Sequence, residues 1–126
     1  MMRVLYVDDD RINTLLFTET CRCAGGLEVK TAACGSEAVE CLNGWLPELM
    51  VIDLHLPDTT GFDLLPTLRR TQPALVDVPA FLCTADDAAV VGLAALAAGF
   101  RSCWPKPMEL PFMLAELARL GHRQGD

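Results

Sequence analysis

Three consecutive carboxylates, Asp8, Asp9 and Asp10, stand directly behind the apolar run of residues 4–7 in the stretch LYVDDDRIN. Two carboxylates about 5 Å apart repel by roughly 3 kcal/mol at an effective dielectric of about 20, so such a row either faces water or takes up something positive. A further acid, Asp53, follows a second run, residues 49–52, that is apolar at every position. A hydroxyl, Thr84, closes a third run, and an ammonium, Lys106, followed by Pro107, comes after a fourth. Carboxylate oxygens with room left for water suit a hard divalent cation such as Mg2+.

These side chains meet only if the elements carrying them are laid side by side. Residues 4–7 read as a short strand, and Ile12, Leu15, Leu16 and Glu19 open a helical pattern that Gly25-Gly26 stops. Residues 27–32 alternate like a strand near a sheet edge. Gly35-Ser36 offers a cap for a second helix through Ala38, Val39, Cys41 and Leu42, closed by Gly44. The wholly apolar 49–52 fits a strand covered on both faces. A loop over 53–61 leads to a third helix, 62–70, in which Pro66 predicts a kink or a late start. A fourth strand is expected over 78–84 with Pro79 at its entry, an Ala-rich helix over 87–98, a fifth strand over 101–104 and a fifth helix over 109–120.

Five βα units make a doubly wound α/β fold with a parallel sheet, whose ligand site lies at the carboxyl ends of its strands. Asp8, Asp9, Asp53, Thr84 and Lys106 would then converge on one edge. Each has a plainer explanation taken singly. An Asp after a strand is most often a helix cap, and Asp10, immediately before a helix, is assigned that role. A lone Lys-Pro is usually loop, and a Thr can satisfy a turn. Independent capping and turn choices need not put two acids, an acid, a hydroxyl and a lysine at four strand ends, and that joint placement favours a site.

The bulk properties are compatible with one compact domain: 126 residues, 52% hydrophobic. Ten basic against 17 acidic residues give a net charge of −7, which argues against direct nucleic-acid binding and against an anionic membrane surface. The longest apolar stretch, residues 88–100, is too short to span a bilayer, and no export signal opens the chain, so a cytoplasmic location is expected. The six cysteines lack the spacing of a disulfide framework and read as reduced, small hydrophobes. Cys21 and Cys23, two apart on a predicted helix, would point about 200° away from each other and could not readily share a metal.

VDDD after the first strand, VIDLHLPDTTG after the third, CTAD after the fourth and KPM after the fifth together resemble the response-regulator receiver domain of two-component signalling. The resemblance covers residue 3 to about 120, and four motifs in order are more specific than any one. It implies a flavodoxin-like (βα)5 fold with strand order 2-1-3-4-5, a receiver over residues 1–121 and a short tail over 122–126. It implies that Asp53 is the phosphoacceptor, attacking a phosphohistidine on a histidine kinase or histidine phosphotransfer protein. Mg2+ would be bound by Asp9, Asp53 and the backbone carbonyl of His55, with Asp8 helping directly or through water. Lys106 would offset phosphoryl charge, Thr84 would hydrogen-bond the phosphate once formed, and small Ala85 would leave it room. The Lys106-Pro107 bond resembles one that is often cis in the family. Such a domain is no conventional enzyme: it assists its own phosphorylation and dephosphorylation and switches partner binding on its helix 4, strand 5, helix 5 face, with a homodimer left open.

The sequence also departs from the family. The aromatic that the family usually carries three residues before the lysine is here Cys103, and Pro105 removes a ladder donor just before Lys106. Trp104 is adjacent, but strand alternation turns it to the opposite face, where packing beneath a helix is expected. Switching would then run through the backbone and the fourth helix. His55 and Asp86, each two residues past a site residue, occupy positions that in the family flank the phosphoryl group, and are expected to tune its lifetime. Two other functions stay open. A receiver-like interaction module that is never phosphorylated is one. An aspartyl-phosphate hydrolase is the other, disfavoured because the general acid two residues after the nucleophile would be His55 rather than Asp. With only residues 121–126 after the last helix, the expectation is a stand-alone regulator or a receiver cut from a longer chain, and Asn13 and the AGF before strand five tilt toward a hybrid kinase.

Overall fold

The computed structural model describes residues 1–106 and 109–125, with the side chains at 88, 110, 117 and 120–125 left aside. Five strands, β1 (Met2–Val7), β2 (Leu27–Ala32), β3 (Leu49–Asp53), β4 (Ala80–Thr84) and β5 (Ser102–Pro105), form one sheet in the order β2-β1-β3-β4-β5, all neighbours parallel. The helices are α1 (Arg11–Ala24), α2 (Gly35–Cys41), α3 (Gly61–Thr71), α4 (Ala88–Ala98) and α5 (Leu110–Gly125). This is the doubly wound arrangement that the alternating pattern predicts, in the flavodoxin-like order that the resemblance implies, with α5 running past the expected end at 120.

Alternation along the strands splits the core into two layers. Leu5, Val7, Met50, Ile52 and Leu82 point to one side, where Ala38, Leu65, Leu68 and Ala95 of α2, α3 and α4 cover them. Val4, Tyr6, Val51, Phe81 and Cys83 point to the other, against Phe17 and Cys21 of α1 and Met113 of α5. Every residue of β3 and β4 is buried, as expected of strands sandwiched between helices. Cys21 is buried and Cys23 exposed, the divergence their helical spacing predicts, and all six cysteines are free.

Four local details differ from expectation or decide it. The fourth strand starts at Ala80 rather than 78, because Pro79 has no N–H for the ladder and contributes only its carbonyl, to Met50 N–H at 3.0 Å. Residues Pro73–Asp77 ahead of it wind into a 3-10 turn that was not expected. Helix α3 begins at Gly61, one residue early rather than late, and continues through Pro66. Gly35-Ser36 does not cap α2: the N-cap is Cys34 without a side-chain bond, and Asp58 from the β3–α3 loop accepts Gly35 N–H at 2.8 Å and Ser36 N–H at 3.0 Å.

Candidate functional site

Register brings the expected residues together. Val7 pairs with Ile52, Asp53 with Cys83 and Thr84 with Pro105, so the carboxyl ends of β1, β3, β4 and β5 finish side by side. The ladder is carried one step further by Leu54 N–H to the Cys83 carbonyl at 2.9 Å and by Lys106 N–H to the Thr84 carbonyl at 2.9 Å. The second bond compensates for Pro105, which pairs with Thr84 but has no donor, and it fixes the backbone that carries the lysine.

Carboxylate oxygens of Asp8, Asp9 and Asp53 lie within 4.8 Å of one another, with Asp8 and Asp53 buried and Asp9 exposed. Lys106 reaches in from the end of β5: its Nζ stands 3.1 Å from Asp8 Oδ2 and 3.0 Å from Asp53 Oδ2. Burial pushes the Asp53 carboxyl up to about 6, the Asp8 charge adds to the rise, and Lys106 opposes it. Burial likewise works against the charge of Lys106, but its bonds to Asp53 and Asp8 more than offset this and hold it above its ordinary range. Three hard oxygen donors at this spacing, with one carboxylate open to solvent, fit a small divalent cation such as Mg2+ that retains several waters.

Asp10 takes the separate role assigned to it. Its Oδ1 accepts Ile12 N–H at 2.9 Å and Asn13 N–H at 3.1 Å, capping α1. Thr84, buried at the end of β4, accepts Asp86 N–H on its hydroxyl at 3.0 Å. Asp86 turns its carboxylate to His55, whose Nε2 is 2.9 Å from Asp86 Oδ2, so an exposed pair bridges the loops after β3 and β4 at the rim. Trp104 stacks on Phe81 with centroids 4.6 Å apart and meets Phe112 of α5 edge-on, which bears out packing beneath a helix. Cys103, half-buried, packs against the opposite core layer. The Lys106-Pro107 peptide lies outside the described residues.

The sequence reading missed two participants. Tyr6 lies two residues before Asp8 on the same face of β1, and its hydroxyl donates to Asp8 Oδ2 at 2.8 Å. Burial and then the Asp8 charge push that hydroxyl far above its ordinary range, so it stays a donor. The signal was available: a hydroxyl at period 2 from a site acid, inside an otherwise apolar strand. Gly61 is the second. A Cβ there would sit 2.7 Å from the Asp53 carbonyl oxygen and 2.7 Å from Leu82 Cδ1, so only glycine lets α3 start this close to the end of β3.

Comparison with known proteins agrees with this geometry. The family model for the response regulator receiver domain matches residues 4–118. The probable transcriptional regulatory protein TcrX of Mycobacterium tuberculosis is 34% identical over 122 residues, covering 97% of this chain and 50% of that protein. Response regulator MprA of Mycobacterium avium is 33% identical over 125 residues, covering 97% of this chain and 52% of its own. The chain thus spans about half the length of these two relatives, and 18% of that of the luminescence regulatory protein LuxO of Vibrio campbellii. Among solved structures, the chemotaxis response regulator CheY4 of Vibrio cholerae superposes with a TM-score of 0.86 at 28% identity, covering 95% of this chain and 98% of that one. A two-component response regulator from Clostridium difficile shares the fold at a TM-score of 0.89, 20% identity and 100% of both chains. With the sheet order, the acidic cluster at its carboxyl edge and a family match over nearly its whole length, the chain belongs to the response regulator receiver domain family.

Proposed function

We propose that the chain is a phosphoacceptor, with residues 1–121 as the receiver unit, and that Asp53 takes a phosphoryl group from a phosphohistidine on a histidine kinase or histidine phosphotransfer protein. The observation that carries this reading is the Lys106 ammonium at 3.1 and 3.0 Å from Asp8 and Asp53, two of the three acids of the cluster. An Asp53 carboxylate oxygen attacks phosphorus, the P–N bond to the donor imidazole breaks, and the imidazole nitrogen leaves with that electron pair. Lys106 lies where it would offset the negative charge brought by the phosphoryl oxygens, and the Thr84 hydroxyl would donate to one of them. Asp9, Asp53 and the His55 carbonyl would hold Mg2+, with Asp8 beside them. When bound, the ion would supply further positive charge against the same oxygens.

Readout is assigned to the α4, β5, α5 face. In support, α4 carries no charged residue, and Val90 and Leu93 stand 74% and 80% exposed on it, an apolar surface of the kind a partner covers. The His55–Asp86 bridge at the rim supports the expectation that these two residues govern how long the phosphoryl group survives.

The test is incubation with Mg2+ and acetyl phosphate, followed by intact-mass analysis. The expected result is one acid-stable, base-labile phosphoryl adduct, lost in EDTA and in Asp53→Ala. An adduct that persists in Asp53→Ala overturns the assignment of Asp53. No adduct on the parent would instead favour an interaction module that is never phosphorylated.

A further inference from the structure

Tyr6 is the only tyrosine of the chain. Its ring is buried in β1 and stacks on Phe17 of α1 with centroids 4.2 Å apart and 14° between planes. A buried phenol needs an acceptor. Here that acceptor is a side chain of the acidic cluster, Asp8 Oδ2, at 2.8 Å.

The rest of Asp8 is also taken up. Its Oδ2 receives Lys106 Nζ at 3.1 Å, with Asn13 Nδ2 at 3.5 Å, and its Oδ1 receives Asp10 N–H at 2.9 Å. A carboxylate offers about four lone-pair directions, so these protein donors leave little of Asp8 for direct contact with a metal. Asp9 lies exposed at the mouth, and Asp53 Oδ2 meets Lys106 Nζ at 3.0 Å.

We propose that Tyr6 is a positioning residue of the cation site: its hydroxyl holds the Asp8 carboxylate turned toward Lys106 and weakens the hold of that carboxylate on the ion. This rests on the reading of the acidic cluster as a Mg2+ site. The phenolic O–H directs its positive end at the same charge that attracts the cation, so donor and cation compete for Asp8. Deleting the hydroxyl while keeping the ring leaves a buried carboxylate one donor short, a deficit that a cation makes good.

Tyr6→Phe preserves the stack on Phe17 and removes only the donor. Calorimetric titration with MgCl2 compares the parent, Tyr6→Phe, Asp8→Asn and the double variant. Tyr6→Phe is expected to bind Mg2+ about ten-fold more tightly, the lower end of what one hydrogen bond to a charged acceptor is worth. Its thermal midpoint should fall in EDTA and rise more than the parent's when Mg2+ is added, and the affinity gain should vanish in the Asp8→Asn background. A second measurement needs no variant: with tyrosine labelled only at the ring carbon bonded to oxygen the parent gives a single NMR signal, which should shift on saturation with Mg2+. Equal or weaker Mg2+ binding by Tyr6→Phe, or a tyrosine signal unmoved by saturating Mg2+, overturns the role of Tyr6. A parent that takes up no Mg2+ at millimolar concentrations overturns the cation site itself, and the inference with it.

Discussion

Asp53 is buried between Asp8 and Lys106, and its carboxyl is pushed up to about 6 chiefly by that burial. A carboxyl raised above its unfolded value of 3.8 favours folding in its neutral form. That contribution is fully present below the unfolded value and is lost as pH rises through about 6. Asp53→Asn, which cannot ionise, should therefore raise the unfolding free energy at pH 7 by about 1–3 kcal/mol in metal-free buffer, and the gain should vanish near pH 4. Denaturant titrations at the two pH values check this. A destabilised variant at neutral pH would mean that the Lys106 pair outweighs the burial and repulsion. The five site residues were legible because strand ends are legible: an apolar run that stops at a polar residue marks where a side chain leaves the core. Tyr6 escaped because aromatics in an apolar strand are counted as core, and only its 2.8 Å bond to Asp8 reveals the polar end.

At the scale of elements, the loop between β3 and α3 decides how the site is held. Gly61 N–H donates to the Leu54 carbonyl at 2.8 Å, and Leu56 N–H to the Thr59 carbonyl at 3.2 Å, folding the loop tightly over the end of β3. Asp58 at its tip closes the N-terminus of α2, which ties the loop after Asp53 to a second helix. Gly61→Ala would press a methyl group into the Asp53 carbonyl and Leu82, at 2.7 Å from each. Overpacking of this kind costs about 1–3 kcal/mol. The expected outcome is a loss of that size in denaturant titration together with slower adduct formation from acetyl phosphate, because the backbone that must move carries Asp53. A variant of parental stability and rate would show that α3 can back away. Element order was readable from apolar runs and Gly stops, but caps supplied from another loop were not. Asp58 lies 22 residues from Ser36, and no local pattern links them. The boundary of β4 was set by Pro79 and by Arg69, which donates to the carbonyls of Leu75 at 3.1 Å, Val78 at 3.0 Å and Gly99 at 3.3 Å, another long-range bond invisible in the local sequence.

Across the whole molecule the sheet separates two environments, and the site residues divide between them. Trp104 and Tyr6 lie in the layer covered by α1 and α5, whereas Leu82 and half-buried Cys103 lie in the layer that includes α4. Fold class followed from five alternating units and strand order from the family resemblance, while the partition of Cys103 and Trp104 needed only the two-residue period of a strand. The expectation that switching runs through the fourth helix has its physical basis in how that helix is anchored. Helix α4 is built mostly of alanine, with Leu96 also exposed, and Ala95 is its one fully buried side chain among those described. Few buried apolar contacts leave it easily displaced. It is joined to the site through the β4–α4 loop, where Asp86 N–H rests on Thr84 and its carboxylate on His55. A phosphoryl mimic drawn toward Thr84 should therefore move this loop and α4, while Trp104, wedged between Phe81 and Phe112, stays where it is. With Mg2+ and beryllofluoride, hydrogen exchange should change most over residues 85–98 and little over α5, and Trp104 emission, read in a Trp45→Phe background, should be nearly constant. A large emission change, or exchange effects concentrated in α5, would instead place the moving element on the Trp104 side of the sheet.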